Sequence, residues 1–203
     1  MKKNLAEISK ELNLQSGWEG LPELIFVTDQ AAQPFPENII ENLQQGSMVI
    51  FRDYDHENRV ELALALRYIC KAKNIQFVVA GDLTLALMVD ADGLHLPEYM
   101  MSEASSIKRD YPELFISVSC HDKTNFEDLP ANAINAVLLA PIFPTKSHPE
   151  TIEAPELTIG PQKLKVICRE VALPVYALGG VNDRTAEKLV GTGVAGVAAI
   201  RGF

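Results

Sequence analysis

The sequence predicts an α/β fold, a single (β/α)8 TIM barrel, on three observations. Eight short β-rich runs alternate with helix-patterned segments from one end of the chain to the other, the pattern of a parallel sheet with crossover helices. Most of those runs are nearly unbroken in apolar residues rather than alternating, as strands buried on both faces are. The 203 residues allow one sizeable core and would crowd two domains.

Taken in order, the chain opens on an amphipathic segment, residues 4–14, where Leu5, Ile8 and Leu12 recur at helical spacing among Glu7, Lys10 and Glu11. It belongs to a helical extension, residues 1–20, set before a barrel of residues 21–203. The first run is ELIFVTD from Glu23, followed by a helix over 36–45; SMVIFR from Ser47 is followed by a helix over 57–73. IQFVVA from Ile75 leads to a short helix over 83–89, GLHLP from Gly93 to one over 99–109, and LFISVSC from Leu114 to one over 125–132. AVLLAPIF from Ala136 precedes a helix over 158–171, PVYALGG from Pro174 precedes one over 182–191, and GVAAI from Gly196 is the eighth run. Pro22, Pro112 and Pro174 stand just before or at strand starts, where a missing amide costs little. Asn182 and Asp183 offer side-chain oxygens to free amides of the helix that follows, while Gly191 and Gly193 let the backbone leave it in a left-handed conformation. No helix is expected after the eighth run, so something else must cover that strand: the 4–14 segment, since a barrel sets its first and last strands side by side, or a second subunit in a homodimer.

Composition excludes several classes of function. A formal net charge of −9 argues against nucleic acid or an anionic membrane as the principal partner, because both demand clustered Lys and Arg. No window approaches the unbroken apolar run of about 20 residues that crosses a bilayer, and the amino terminus lacks the solid apolar core of a signal peptide, so a cytoplasmic protein is expected. Three widely spaced cysteines, Cys70, Cys120 and Cys168, form no metal or redox pair and read as reduced, buried thiols.

In such a barrel the ligand sits at the carboxyl ends of the strands, with phosphate commonly held by the loops after strands seven and eight. The seventh run ends in Leu178-Gly179-Gly180 and enters a helix near Asn182, so backbone amides can approach an anion there. Tight strand-to-helix turns also need glycine for steric reasons. Gly160, opening the helix after the sixth run, fits the same pocket. Arg52 either reaches that ligand or pairs with Asp29 or Asp82. Asp53, Asp55, His56 and Glu57 read as a polar loop and helix start rather than a metal cluster. His95, inside the fourth run, reads as a satisfied core histidine.

FVTD, ADGLHLP, SVSCH, APIFPT, ALGGV and GVAGVAAI, in this order over about residues 24–203, resemble thiamine phosphate synthase and its relative, the TenI-type thiazole tautomerase. The resemblance implies a small phosphorylated thiazole or pyrimidine ligand and a place in thiamine biosynthesis or salvage. The synthase of that family uses Mg2+ to hold hydroxymethylpyrimidine diphosphate while diphosphate leaves. Against its pattern this chain keeps Arg52 but carries Tyr54 in place of a Lys, reads Ala80-Gly81 for Asn-Asp with Asp82 one place late, and reads Pro97-Glu98-Tyr99-Met100 for Gly-Gln-Glu-Asp. His148, with Lys146 two residues earlier, stands where a Lys grips the diphosphate, and Thr145 closes PIFPT beside them. No metal site is therefore expected, unless Asp82 and Glu98 rebuild one. TenI-type proteins lack the same metal pair, keep the monophosphate pocket and move protons with a histidine after the fifth strand, here His121. Arg201 falls where the family has a small Ser against phosphate. The expectation is a TenI-like thiazole tautomerase with His121 as acid/base. Gly160, Gly179, Gly180 and Arg201 would surround the phosphate, with Arg52, Thr145 and His148 near the substrate. The alternatives are an active synthase with a rearranged metal site and a non-catalytic ligand-binding barrel.

Overall fold

The computed structural model describes residues 3–121, 124 and 126–203. Eight parallel strands close into a barrel in sequence order: β1 (Leu24–Val27), β2 (Met48–Phe51), β3 (Gln76–Ala80), β4 (Gly93–Leu96), β5 (Phe115–Cys120), β6 (Ala136–Leu139), β7 (Val175–Ala177) and β8 (Gly196–Ala199). Closure is by β8 on β1, with Leu24 opposite Val197 and Phe26 opposite Ala199. Every apolar run of the sequence became a strand. Side chains such as Ile25, Met48, Val78, Leu138 and Tyr176 fill the barrel interior, and their neighbours along each strand pack outward under the helices.

The helices are α1 (Leu5–Ser16), α2 (Pro36–Ile40), α3 (Arg59–Ala72), α4 (Leu83–Met88), α5 (Ala104–Asp110), α6 (Glu150–Glu153) and α7 (Gly160–Glu170). Four expected helices came out differently, the first of them the 36–45 helix, which stops at Ile40. The 99–109 helix divides into a 3-10 segment, Glu98–Glu103, and α5. Of the segment 125–132, Asn125 lies outside the described residues and the remainder holds one 3-10 turn, Phe126–Asp128. The 182–191 helix is reduced to a 3-10 turn, Ala186–Leu189. Its capping residues are the reason. Asn182 Oδ1 accepts from the amides of Arg184 (2.9 Å) and Thr185 (3.2 Å), while Thr185 Oγ1 accepts from the Asn182 amide at 2.9 Å and donates to the Gly180 carbonyl at 2.8 Å. Side chains thus satisfy the turn locally and offer the backbone an alternative to a helix.

The flank of β8 and β1 is covered by α1. Asn4 and Glu7 form a reciprocal capping box at its start and Gly17, at φ 79°, ends it. Leu5, Ile8 and Leu12 are buried beneath it, together with the polar Ser9 and Asn13. Those two complete the backbone hydrogen bonds at the seam. Ser9 Oγ donates to the Glu23 carbonyl and accepts from the Val197 amide, and Asn13 Nδ2 donates to the Ala195 carbonyl at 2.7 Å. The need for a second subunit at this flank, on which the homodimer expectation stood, is thereby removed. Asn13→Ala should cost about 1–3 kcal/mol by orphaning a buried carbonyl, read as a lower urea midpoint with an unchanged slope; an unchanged midpoint would mean that the seam does not depend on this bond.

Among the described residues no helix is long and apolar enough to cross a membrane. Cys70 and Cys120 are buried and Cys168 half-buried, all unpaired, and burial pushes each thiol up to about 12, leaving them as packing groups rather than nucleophiles.

Candidate active site

Two adjoining clefts open at the carboxyl ends of the strands. The first, of about 280 Å3, lies over the ends of β6, β7 and β8 and is lined by Thr145, Lys146, His148, Gly179, Gly180 and Arg201, with Arg52 at its edge. Gly179 and Gly180 have φ of 90° and 66°. A Cβ at Gly179 would stand 2.9 Å from Pro141 Cα, and one at Gly180 would stand 2.5 Å from the Pro144 carbonyl oxygen. The pair is therefore needed sterically, because the loop after β6 packs directly on it, with Phe143 N donating to the Gly179 carbonyl at 3.0 Å. The same close turn leaves donors free. Among the described residues nothing accepts from the amides of Gly179, Gly180 or Arg201, so they can receive an anion, with exposed Lys146 and Arg201 supplying positive charge at the rim. Gly160 is not part of this arrangement. Its amide donates to the Ile142 carbonyl at 3.1 Å and it lies outside the cleft lining, because the chain needs it to start α7 at φ 67°.

The second cleft, of about 530 Å3, shares Arg52, Ala140, His148 and Leu178 with the first and adds Tyr54, His95, Glu98, Tyr99, Ser119 and His121. His121 follows β5, and its Nδ1 lies 3.0 Å from the Ala140 carbonyl. A carbonyl oxygen only accepts, so Nδ1 carries the proton and Nε2 is left as the acceptor. The His121 amide donates to Thr124 Oγ1 at 2.7 Å, and that hydroxyl donates in turn to the Glu98 carboxylate. The His148 ring stands edge-on to that of His121, centroids 6.2 Å apart, and its Nδ1 faces Glu150 at 3.3 Å.

His95 is buried with both nitrogens engaged, Nδ1 with Ser117 Oγ at 2.9 Å and Nε2 with Ser119 Oγ at 2.8 Å. Burial, with a smaller push from the Arg52 guanidinium, lowers its pKa from 6.5 to about 4. Below pH 6.5 the unfolded chain takes up a proton that the folded imidazole refuses until about pH 4, so this contribution to stability is whole above 6.5 and is lost as pH falls toward 4. The loss approaches about 3 kcal/mol. Urea midpoints should fall through this window in the wild type and fall less steeply in His95→Gln; equal slopes would assign the acid sensitivity to other groups.

Arg52 pairs with Asp29 (2.8 Å) while still facing both clefts. Asp53 is buried rather than solvated, with Oδ1 accepting from the Gln30 amide at 2.6 Å. Arg59, which the sequence reading passed over, reaches from the first turn of α3 between the rings of Phe51 and Tyr54 to Asp82 (2.8 Å) and the Ala80 carbonyl (3.0 Å). A lone Arg at a helix start carries no sequence signal of that kind.

Magnesium needs several oxygen ligands at short, nearly octahedral distances. Asp82 caps α4, Oδ1 accepting from the Leu85 amide at 2.9 Å, and its Oδ2 is held by Arg59. Glu98 is engaged by Thr124, and neither Gly81 nor Met100 offers a side-chain oxygen. Among the described residues no three His, Cys, Asp or Glu side chains converge where a metal ion could be held. Among the described residues, the carboxylates at these positions are engaged elsewhere and do not fit a magnesium site.

A family model described as thiamine monophosphate synthase matches residues 24–203, the whole barrel. The chain belongs to the thiamine monophosphate synthase family. It is 32% identical over 190 residues to the "Putative thiamine-phosphate synthase 2" of Aquifex aeolicus, covering 90% of this chain and 98% of that protein. To the thiamine-phosphate synthase of Pyrococcus furiosus it is 29% identical over 182 residues, 88% of this chain and 84% of the relative. The solved structure of a thiamine phosphate pyrophosphorylase from Pyrococcus furiosus superimposes with a TM-score of 0.72 at 27% identity, covering 86% of this chain and 83% of that one. Membership of this synthase family places the chain in thiamine biosynthesis and makes phosphorylated pyrimidine and thiazole compounds the ligands to consider.

Proposed function

We propose that this chain is a TenI-like member of the family, binding a thiazole monophosphate and interconverting its ring tautomers. The observation that carries the reading is the state of His121: its Nδ1–H is held on the Ala140 carbonyl, which leaves Nε2 as the free acceptor on a residue that lines the second cleft. A thiazole phosphate set with its phosphate on the free amides of Gly179, Gly180 and Arg201 would extend its ring into the adjoining cleft. There Nε2 takes a proton from one ring carbon, the electron pair shifts through the ring, and the imidazolium returns the proton at another carbon. No charge leaves with a departing group, so the step needs no metal to neutralise one. Arg52 and His148 line both clefts and Thr145 the first, where they orient the substrate.

The names of the relatives favour a second reading, an active synthase. Calorimetric titration with thiazole phosphate and, separately, hydroxymethylpyrimidine diphosphate, each with and without Mg2+, separates the two. Monophosphate binding indifferent to Mg2+ is expected. Diphosphate binding that appears only with Mg2+ would replace the tautomerase reading with the synthase, and binding of neither would leave a non-catalytic barrel.

A further inference from the structure

Two buried serines bracket the imidazole of His95, and the protons on the three groups can be counted. Ser117 is fully buried and, among the described residues, the only hydrogen-bond partner of its hydroxyl is His95 Nδ1. Ser119, two residues along the same face of β5, meets Nε2 from the other side and lines the cleft that holds His121. If Nδ1 carried the proton, it would donate to Ser117 Oγ and leave the Ser117 hydroxyl proton with no acceptor. If Nε2 carries it, Ser117 donates to Nδ1, Nε2 donates to Ser119 Oγ, and no buried donor is orphaned.

We propose that Ser117 is a positioning residue: by donating to Nδ1 it fixes His95 as the Nε2–H tautomer, which turns the Ser119 hydroxyl proton away from His95 and into the cleft. Ser119 then presents a hydrogen-bond donor to an acceptor atom of the bound heteroaromatic ring, in the cleft that His121 also lines. Only the identity of that ring rests on the thiazole phosphate reading. During the proton shift Ser119 keeps its proton and hydrogen-bonds the atom on which negative charge collects, while His121 takes the proton and returns it. The low pKa of His95 keeps a second proton off the ring at neutral pH, so the tautomer is a choice between two states. One orphaned buried hydroxyl is enough to bias that choice about tenfold.

The test is a long-range 1H–15N correlation spectrum of the ligand-free, full-length protein at neutral pH, with His95 identified through its intraresidue carbon correlations. A protonated Nε2 and a bare Nδ1 are expected, and the reverse would overturn the proposal whatever the protein turns out to bind. In Ser117→Ala the preference should collapse to a mixture, thiazole phosphate should bind about twofold more weakly as the competent tautomer falls from about nine-tenths to about half of the molecules, and inorganic phosphate should bind as in the wild type. Ser117→Thr, which keeps the hydroxyl, should restore both the tautomer and the affinity. Unchanged tautomer and thiazole phosphate affinity in Ser117→Ala would overturn the proposal. A wild type that ignores thiazole phosphate would sink the tautomerase reading instead, with the spectra still deciding the tautomer.

Discussion

Replacing His121 with Ala should slow thiazole phosphate tautomerisation by about 10²–10⁴-fold, the usual contribution of a positioned general base, while the dissociation constant of the ligand stays where it was. The separation follows from the layout. The imidazole lines only the second cleft, and Gly179, Gly180 and Arg201, whose amides are proposed to receive the phosphate, line the first. Single-turnover ultraviolet difference spectra, with calorimetry for the Kd, check both halves. Full turnover in His121→Ala would remove this residue from the mechanism, and a parallel loss of affinity would make it a binding group.

The strands were readable because burial on both faces forces continuous apolar runs such as SMVIFR and AVLLAPIF, which little else in a polar chain imitates. Helix 182–191 was misread because Asn182 and Thr185 are good helix starters and equally good partners for a tight turn, and periodicity does not say which will win. At the candidate site, His121, Gly179, Gly180, Thr145, His148, Arg52 and Arg201 could be singled out from strand-end position and family motif, and the fold brings them to the two adjoining clefts. Gly160 was not separable from them in sequence, since a glycine needed to start a helix looks like one needed to approach an anion. What stayed hidden were long-range pairings. The bond from Arg59 to Asp82 spans β3, the Ala140 carbonyl that sets the His121 tautomer is a backbone atom, and Ser117 and Ser119 matter only once β4 lies beside β5.

Gly180→Ala should be the most damaging single-methyl change near the first cleft. The new Cβ would sit 2.5 Å from the Pro144 carbonyl oxygen and 2.8 Å from Phe143 Cβ, on a residue held at φ 66°. Left-handed backbone costs a non-glycine residue about 1–2 kcal/mol, and overpacking adds about 1–3 kcal/mol. The sum, about 2–5 kcal/mol, corresponds to a fall in Tm of roughly 4–20 °C for a chain of this length. Backbone atoms are what the methyl meets, so relief comes only by moving the loop that carries Thr145, Lys146 and His148, and phosphate affinity should fall with stability. Gly160→Ala is the matched control. It has nearly the same φ, 67°, nothing within 4 Å of the added Cβ and no place in the cleft lining, so it should lose only the backbone part of the stability and bind inorganic phosphate normally. Equal phosphate affinities in the two variants would mean that the Gly179-Gly180 turn is built for packing alone and that the anion is held elsewhere.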